Sequence, residues 1–252
     1  MSYKLEYAYV SHTGRIRKVN QDNFICNHEF MHYDNNGTGE VYQGSIRISR
    51  DILMGVFDGV GGEEHGEIAA YLASAEASEF KFGKDLESGI RRFYESANNR
   101  ICQYASNNSI TAMGATAAML MFTPKYVWVT NIGDSKIYRL YDGKFLQLSK
   151  DHVVPLNNGR KPALSQSLGI PETEMKITPY LISERIQDKA IYLICSDGLT
   201  DMVGEDEIAK TLGSSPLADA CSSLLNAALE NGGKDNTTIV LCQTIRKPFL
   251  FW

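Results

Sequence analysis

Ile52-Leu53-Met54-Gly55-Val56-Phe57-Asp58-Gly59 is the stretch that decides the fold. A continuous apolar run that stops at Asp-Gly is typical of a buried strand ending in a loop. Helix-forming composition follows over residues 64–82, and apolar residues at helical spacing follow over residues 85–105. The stretch therefore predicts a sheet strand leading into two long helices.

Strand patterns continue on both sides of this stretch, at residues 4–10, 23–30, 41–48, 114–122, 126–132, 136–141, 190–195 and 237–244. The turn-rich residues 34–39 predict that 41–48 is a hairpin partner of the strand before it. Turns at residues 133–135 and 141–143 predict further hairpins. Shorter helices are predicted at 205–212 and, with Ser215 as N-cap and Pro216 at the first helical position, from 216 to about 230. Many strands with helices in two blocks predict an α+β layered sandwich.

Composition is that of an ordinary globular chain. The 252 residues are 43% hydrophobic and 22% charged, and Lys+Arg 25 against Asp+Glu 30 gives a net charge of −5. This balance argues against disorder and against bulk nucleic-acid binding. Five scattered cysteines without a C-x-x-C pair predict reduced thiols, and the absence of a signal sequence or an apolar span predicts a cytoplasmic protein with no membrane segment. No repeat or linker divides the chain, so one domain is predicted over residues 1–252.

Four aspartates share one local setting. Asp58 and Asp197 follow apolar strands, Asp134 lies between two strands, and Asp235 precedes the last one. A buried carboxylate at a sheet rim needs compensation, which a hard divalent cation supplies through oxygen ligands. Each aspartate taken singly is also a common turn residue. Their repetition favours a magnesium or manganese site if the strand ends converge.

A cationic loop precedes a further acid, Asp22. Arg17 lies in this loop, and a guanidinium matches phosphate in two-point geometry. A phosphate-plus-metal site is one interpretation, and a solvated surface loop is the other.

Other chemistries have weaker support. His28-Glu29-Phe30-Met31-His32 fits H-E-x-x-H, the zinc-protease motif, but that motif works only on a helix and here it follows a strand-like stretch. The glycine-rich residues 58–64 have no Gly-Lys-Ser/Thr for a P-loop. No cysteine has an arginine six residues on, which disfavours a cysteine-dependent phosphatase.

Seven motifs in order carry a resemblance that covers nearly the whole chain. They are Arg17-Lys18-Val19-Asn20-Gln21-Asp22, Phe57-Asp58-Gly59-Val60-Gly61-Gly62, Gly114-Ala115-Thr116-Ala117, Asn131-Ile132-Gly133-Asp134-Ser135-Lys136-Ile137-Tyr138, Leu164-Ser165-Gln166-Ser167-Leu168-Gly169, Cys195-Ser196-Asp197-Gly198-Leu199-Thr200-Asp201 and Gly233-Lys234-Asp235-Asn236-Thr237-Thr238. Together they resemble the bacterial branch of the metal-dependent type 2C serine/threonine protein phosphatases.

The resemblance implies a four-layer α-β-β-α sandwich with two central antiparallel sheets and Mn²⁺ or Mg²⁺ at one end. It implies that Asp58 bridges two tight ions, that Gly59 offers its carbonyl to the second, and that Asp197 and Asp235 complete the first. It further implies that Asp134, with Asp197, holds a weaker third ion.

The implied catalytic residues are Asp22, which would orient metal-bound water, and Arg17, which would hold the substrate phosphate. The implied reaction is hydrolysis of phosphoserine and phosphothreonine by a water bridging the metals, with no phosphoenzyme. The implied partners are phosphorylated proteins, the substrates of a serine/threonine kinase, and a monomer is expected.

The chain departs from the family pattern at three places. Val60 replaces a histidine that eukaryotic relatives carry as a proposed general acid, so the leaving-group proton comes from elsewhere, with His12 and His65 nearby in sequence. The flap at residues 151–163 is short. Residues 27–51 form a longer segment than usual, predicted as a hairpin particular to this chain. The alternatives are an inactive phosphatase-like binding module and the zinc protease.

Overall fold

The structure is a computed structural model that describes residues 2–60, 65–81, 83–154 and 162–247. Its elements, in chain order, are β1 Ser2–His12, β2 Asp22–Cys26, β3 Tyr42–Ile48, β4 Ile52–Asp58, α1 Gly66–Glu79, α2 Leu86–Asn107, β5 Ala117–Phe122, β6 Tyr126–Ile132, β7 Lys136–Tyr141, β8 Lys144–Gln147, β9 Val153–Val154, β10 Ala163–Leu164, β11 Tyr180–Arg185, β12 Ile191–Cys195, α3 Asp197–Thr200, α4 Glu205–Ser214, α5 Leu217–Glu230 and β13 Thr237–Lys247.

Two large sheets form the centre of the molecule. One has six strands in the order β3-β1-β13-β12-β7-β8, and the other has five in the order β11-β6-β5-β4-β2. Every neighbouring pair in both sheets is antiparallel. The strands β9 and β10 form a separate small ribbon.

Three apolar layers hold the sheets and helices together. The central layer joins the facing sheets through side chains such as Leu5, Val56 and Ile194. A second layer packs α1 and α2 on the five-stranded sheet, and a third packs α3, α4 and α5 on the six-stranded sheet. The four layers are therefore α-β-β-α, as the sequence predicts.

Burial on both faces explains why the central strands are continuously apolar. In β5, Leu120 and Phe122 face the central layer, whereas Met119 and Met121 face the helices. Alternate residues of one strand serve two layers, so neither face is polar.

Two predicted hairpins are wrong. Strand β3 pairs with β1, in the sheet that does not contain β2, so residues 27–51 are not a hairpin. Strand β2 ends at Cys26, and the next residue, Asn27, has a φ of 63°. Two backbone hydrogen bonds between Cys26 and Glu29 close a short turn there. The 133–135 turn also joins strands of different sheets, because β6 and β7 belong one to each. The predicted hairpin at 141–143 is confirmed between β7 and β8.

The part of the flap at residues 155–161 lies outside the described residues, as do residues 61–64 of the glycine-rich loop. Among the described helices, none is both long enough and apolar enough to cross a membrane.

Candidate metal centre and active site

The four candidate metal aspartates lie around one cavity. It has a volume of about 690 Å³, and its lining includes Asp58, Asp134, Asp197 and Asp235 together with Arg17. Strand β4 ends at Asp58, α3 begins at Asp197 directly after β12, and Asp235 precedes β13. The four aspartates therefore line one cavity, which is the condition on which the metal-site interpretation depends.

Asp22 is the buried member of this acidic group, and the partly exposed Asp58 lies beside it. They are opposite each other in the β2–β4 register, and Asp22 is only 4% exposed. Burial raises the pKa of Asp22 to about 7, although its hydrogen bonds with Ser196 and Thr238 act in the opposite direction. Burial, and after it the charge of Asp22, raises the pKa of Asp58 well above its ordinary value.

The other acids also raise the pKa of Asp58, namely Asp197, Asp134 and Asp235. Carboxylates that raise one another's pKa in this way lie close in space. A cation among them would reduce their mutual repulsion and compensate for the hydration that they lose on burial. Their all-oxygen chemistry fits a hard divalent ion such as Mg²⁺ or Mn²⁺.

The side chains at this site can supply only part of the coordination of each ion. Within the described ranges, no three His, Cys, Asp or Glu side chains are grouped so as to hold one ion by themselves. An ion at this site would therefore complete its coordination with water and backbone carbonyls, as Mg²⁺ commonly does.

A buried hydroxyl positions Asp22. The Oγ of Ser196 donates to Asp22 Oδ2 at 2.7 Å and accepts the backbone N–H of Thr238 at 2.9 Å. Ser196 is fully buried, so this contact is shielded from water. One side chain thus connects the start of β13 to the carboxylate of β2.

The loop that carries Asp134 is held from both sides. Gly133 has φ 92, and a Cβ there would lie 2.6 Å from Thr116 Cβ. The hydroxyls of Thr116 and Ser135 are 2.6 Å apart, and the backbone N–H of Gly133 donates to His152 Nδ1 at 3.2 Å. These contacts fix the crossing between the sheets and with it the position of Asp134.

Gly59 lies where the chain passes close to two other segments. A Cβ at this position would be 2.5 Å from the carbonyl of Gly66 and 2.8 Å from that of Gln21. The N–H of Gly59 donates to Gln21 O at 2.9 Å. The loop after β4 therefore packs directly against the segment that leads into Asp22.

Arg17 reaches the acidic group from the cationic loop. Its Nη2 donates to Asp235 Oδ2 at 2.8 Å, and its side chain is 41% exposed. The hydrogen bond to Asp235 is the main cause that raises the pKa of Arg17, and Asp197 and Asp58 add to it. A guanidinium has five N–H donors, so this ion pair leaves donors for a phosphate.

Asn236 holds the cationic loop and was not singled out by the sequence reasoning. Its Nδ2 donates to the carbonyl oxygens of Thr13 at 2.8 Å and Val19 at 3.0 Å, and its Oδ1 accepts the N–H of Gln21 at 2.8 Å. The sequence signal that could have identified Asn236 is its position next to Asp235 in the motif at residues 233–238.

His152 aside, the histidines are not among the described residues that line the cavity or hold the Asp134 loop. His28 and His32 are in the turn segment after β2, where His32 Nδ1 is 2.6 Å from Asp34 and His28 Nδ1 is 3.3 Å from Ser78 O, so H-E-x-x-H has no helix here. His12 Nδ1 accepts the N–H of Gly14 at 2.8 Å, and His65 precedes α1 with φ 66. Val60 lines the cavity.

Comparison with known proteins agrees with this fold. Residues 42–236 match the family model described as protein phosphatase 2C. The serine/threonine phosphatase stp of Listeria welshimeri is 27% identical over 91% of this chain and 92% of its own length. Protein phosphatase PhpP of Streptococcus pneumoniae is 26% identical over 94% of this chain and 96% of its own length.

A solved structure of a serine threonine protein phosphatase is similar to this chain in both sequence and fold. The catalytic domain of the serine threonine protein phosphatase PstP, in complex with two manganese ions, is 26% identical and superposes with a TM-score of 0.77 over 97% of this chain and 100% of that domain. The chain belongs to the protein phosphatase 2C family. Its enzyme class is that of the protein serine/threonine phosphatases, so the resemblance and the sandwich fold predicted from sequence are confirmed.

Proposed function

We propose that this chain hydrolyses phosphoserine and phosphothreonine in phosphoproteins with two tightly bound Mn²⁺ or Mg²⁺ ions and a weaker third. The observation that carries the proposal is the group of four aspartates and one arginine around a single cavity. An inactive binding module would be expected to lack at least one of these four acids. All four line the cavity, which favours an active enzyme. The two manganese ions in the PstP structure add support.

The proposed metal ligands are Asp58 bridging the tight pair, the Gly59 carbonyl on the second ion, and Asp197 with Asp235 on the first. Asp134, with Asp197, would hold the third ion. When bound, the ions would lower the pKa of a bridging water and offset charge on the phosphoryl oxygens.

Arg17 would bind the phosphoryl group of the substrate. One of its nitrogens donates to Asp235, which orients the guanidinium and leaves its other N–H groups for phosphoryl oxygens. Asp22, held by Ser196, would accept a hydrogen bond from the attacking water and so align it. Val60 has no proton to give, so the leaving alkoxide would take its proton from water in the cavity.

A covalent route through cysteine is disfavoured. Of the five cysteines, only Cys102 lines the cavity, and the other four are buried. Burial, with a smaller contribution from Glu174, raises the pKa of the Cys102 thiol, which keeps it protonated and weakly nucleophilic.

The first prediction concerns the bridging ligand. Asp58→Asn removes one negative charge between two cations, which we expect to lower turnover by at least about 100-fold, a loss of about 2.7 kcal/mol or more of transition-state stabilisation. Hydrolysis of p-nitrophenyl phosphate and of a phosphothreonine peptide, with and without Mn²⁺, measures this.

Asp142→Asn is the matched control, because Asp142 is an exposed turn residue with φ 51, a conformation that Asn also accepts. Near-normal turnover by folded Asp58→Asn at saturating Mn²⁺ would refute the ligand assignment. Absence of Mn²⁺-dependent hydrolysis in the unmodified protein would refute the function itself.

A further inference from the structure

The cavity extends well beyond its acidic end. Its volume of about 690 Å³ lies within the roughly 300–1,000 Å³ typical of clefts that enclose a whole small ligand. One phosphoryl group would occupy only part of this space. The remainder, which we call the arm, is lined by the end of α2 and two loops, with Cys102, Ala105, Ile110, Met113, Ile170, Pro171 and Glu174.

The wall of the arm is fixed to α2 by a buried amide. Asn98, 5% exposed, accepts the N–H groups of Gly169 at 2.8 Å and Ile170 at 3.2 Å through Oδ1. Its Nδ2 donates to the carbonyl of Ile170 at 2.9 Å. The arm is therefore formed before any substrate binds, which lowers the entropy cost of binding there.

The arm combines apolar side chains and the hydroxyl side chains of Ser106, Thr111 and Ser167 with a single acid. Among the described residues that line it, Glu174 alone carries a charge, whereas the other charged lining residues are at the catalytic end. Glu174 is exposed and forms no salt bridge within the described ranges. A negative charge beside an apolar wall is complementary to a long cationic side chain.

We propose that the arm binds a lysine or arginine side chain close to the phosphorylated residue of the substrate, an inference that rests on the proposed function. The aliphatic stem packs against Ile110, Met113 and Ile170, and the cationic group pairs with Glu174. Because the arm and the acidic end are one cavity, both groups belong to the same peptide. An acidic side chain is disfavoured there by repulsion from Glu174.

The test uses phosphothreonine peptides that differ only in one flanking residue, with lysine, alanine or glutamate placed in turn at each position. For each enzyme, the ratio of kcat/KM for a lysine peptide to that for the matching glutamate peptide measures charge preference. We expect a ratio above one at one or two positions, a fall of about threefold to fivefold in Glu174→Gln, and an inverted preference in Glu174→Lys.

Glu172→Gln is the matched control, since Glu172 is an exposed acid two positions away that does not line the cavity, and its ratio should equal that of the unmodified protein. High salt should also reduce the ratio, because a partly exposed ion pair is screened. Two results would overturn the arm proposal: equal rates for lysine and glutamate peptides at every position, or an unchanged ratio in both Glu174 variants. Mn²⁺-dependent hydrolysis of p-nitrophenyl phosphate by the unmodified protein would still support the proposed function in either case. If the unmodified protein lacked that hydrolysis too, the proposed function would be overturned with the arm proposal.

Discussion

The buried carboxyl of Asp22 links folding of the chain to protonation of the candidate active site. In an unfolded chain an aspartate has a pKa of about 3.9. In the folded chain, burial raises the pKa of Asp22 to about 7. The folded state therefore favours the protonated carboxyl, and its contribution to stability is present below about pH 4 and is lost as pH rises through about 7.

We predict that the free energy of unfolding of the metal-free protein falls between about pH 4 and about pH 7. The slope contributed by Asp22 would approach about 1.4 kcal/mol per pH unit, since one proton is lost there on unfolding. Asp22→Asn keeps an acceptor for Ser196 but does not titrate, so its pH profile should be shallower. Urea unfolding in chelator across this pH range measures both profiles.

Glu95→Gln, at an exposed position on α2, is the control and should follow the unmodified profile. Parallel profiles for Asp22→Asn and the unmodified protein would contradict the link between Asp22 and stability.

Some of the site could be predicted from individual residues, and some could not. Asp58 and Asp197 were found because each follows an apolar strand, a pattern visible over a few residues. The amide of Asn236 binds three backbone groups of a loop more than two hundred positions away in sequence. Glu174 has no local pattern at all, because its relevance comes only from the cavity it lines. Such contacts depend on tertiary pairing and leave no periodic signal.

At the scale of elements, β4, β6 and β7 were predicted closely, and each apolar run there ends at a turn sequence. Strand β6 and strand β7 have the bounds that the sequence predicts, and β4 differs by one residue. The missed strands β8 and β11 are the outer strands of their sheets, where partial exposure weakens the apolar pattern.

Sheet membership was the main error, because a turn sequence does not specify which sheet the next strand joins. The 133–135 turn has hairpin composition, yet it passes from one sheet to the other. This crossing brings Asp134 to the cavity, which is also lined by residues at the ends of strands from both sheets.

We predict that Asp134→Ala retains two tight metal ions but loses at least about tenfold in turnover, a penalty of about 1.4 kcal/mol or more. The third ion would be offered only two protein carboxylates, Asp134 and Asp197, and would bind more weakly than the pair. Calorimetric metal titration beside steady-state kinetics on one preparation measures both quantities.

If Asp134 is only a turn residue, alanine should cost about 1 kcal/mol in stability and leave turnover per folded molecule unchanged. Loss of the tight pair would instead mean that Asp134 is a ligand of that pair. Asp142→Ala, in the β7–β8 hairpin turn, is the control for an aspartate removed from a turn.

For the whole molecule, the acidic end of the cavity is a local cost to folding. The chain has a net charge of −5, and several of its acids are concentrated where two sheets and a cationic loop meet. Arg17 pairs with Asp235, while burial and the neighbouring acids raise the pKa of Asp58 well above its ordinary value. Bound cations would add positive charge at this end of the cavity.

We therefore predict that Mn²⁺ stabilises the folded chain against heat. An ion at 100 times its Kd adds about 2.7 kcal/mol, which for a chain of this length corresponds to a rise in Tm of about 5–11 °C. Scanning calorimetry in chelator and in increasing Mn²⁺ measures the shift. Asp58→Asn should abolish most of it, because the carboxylate proposed to bridge the ions is lost, whereas Asp142→Asn should retain it. A Tm that does not depend on Mn²⁺ in the unmodified protein would show that the acidic end does not bind the ion, and equal shifts in all three proteins would place the ion elsewhere.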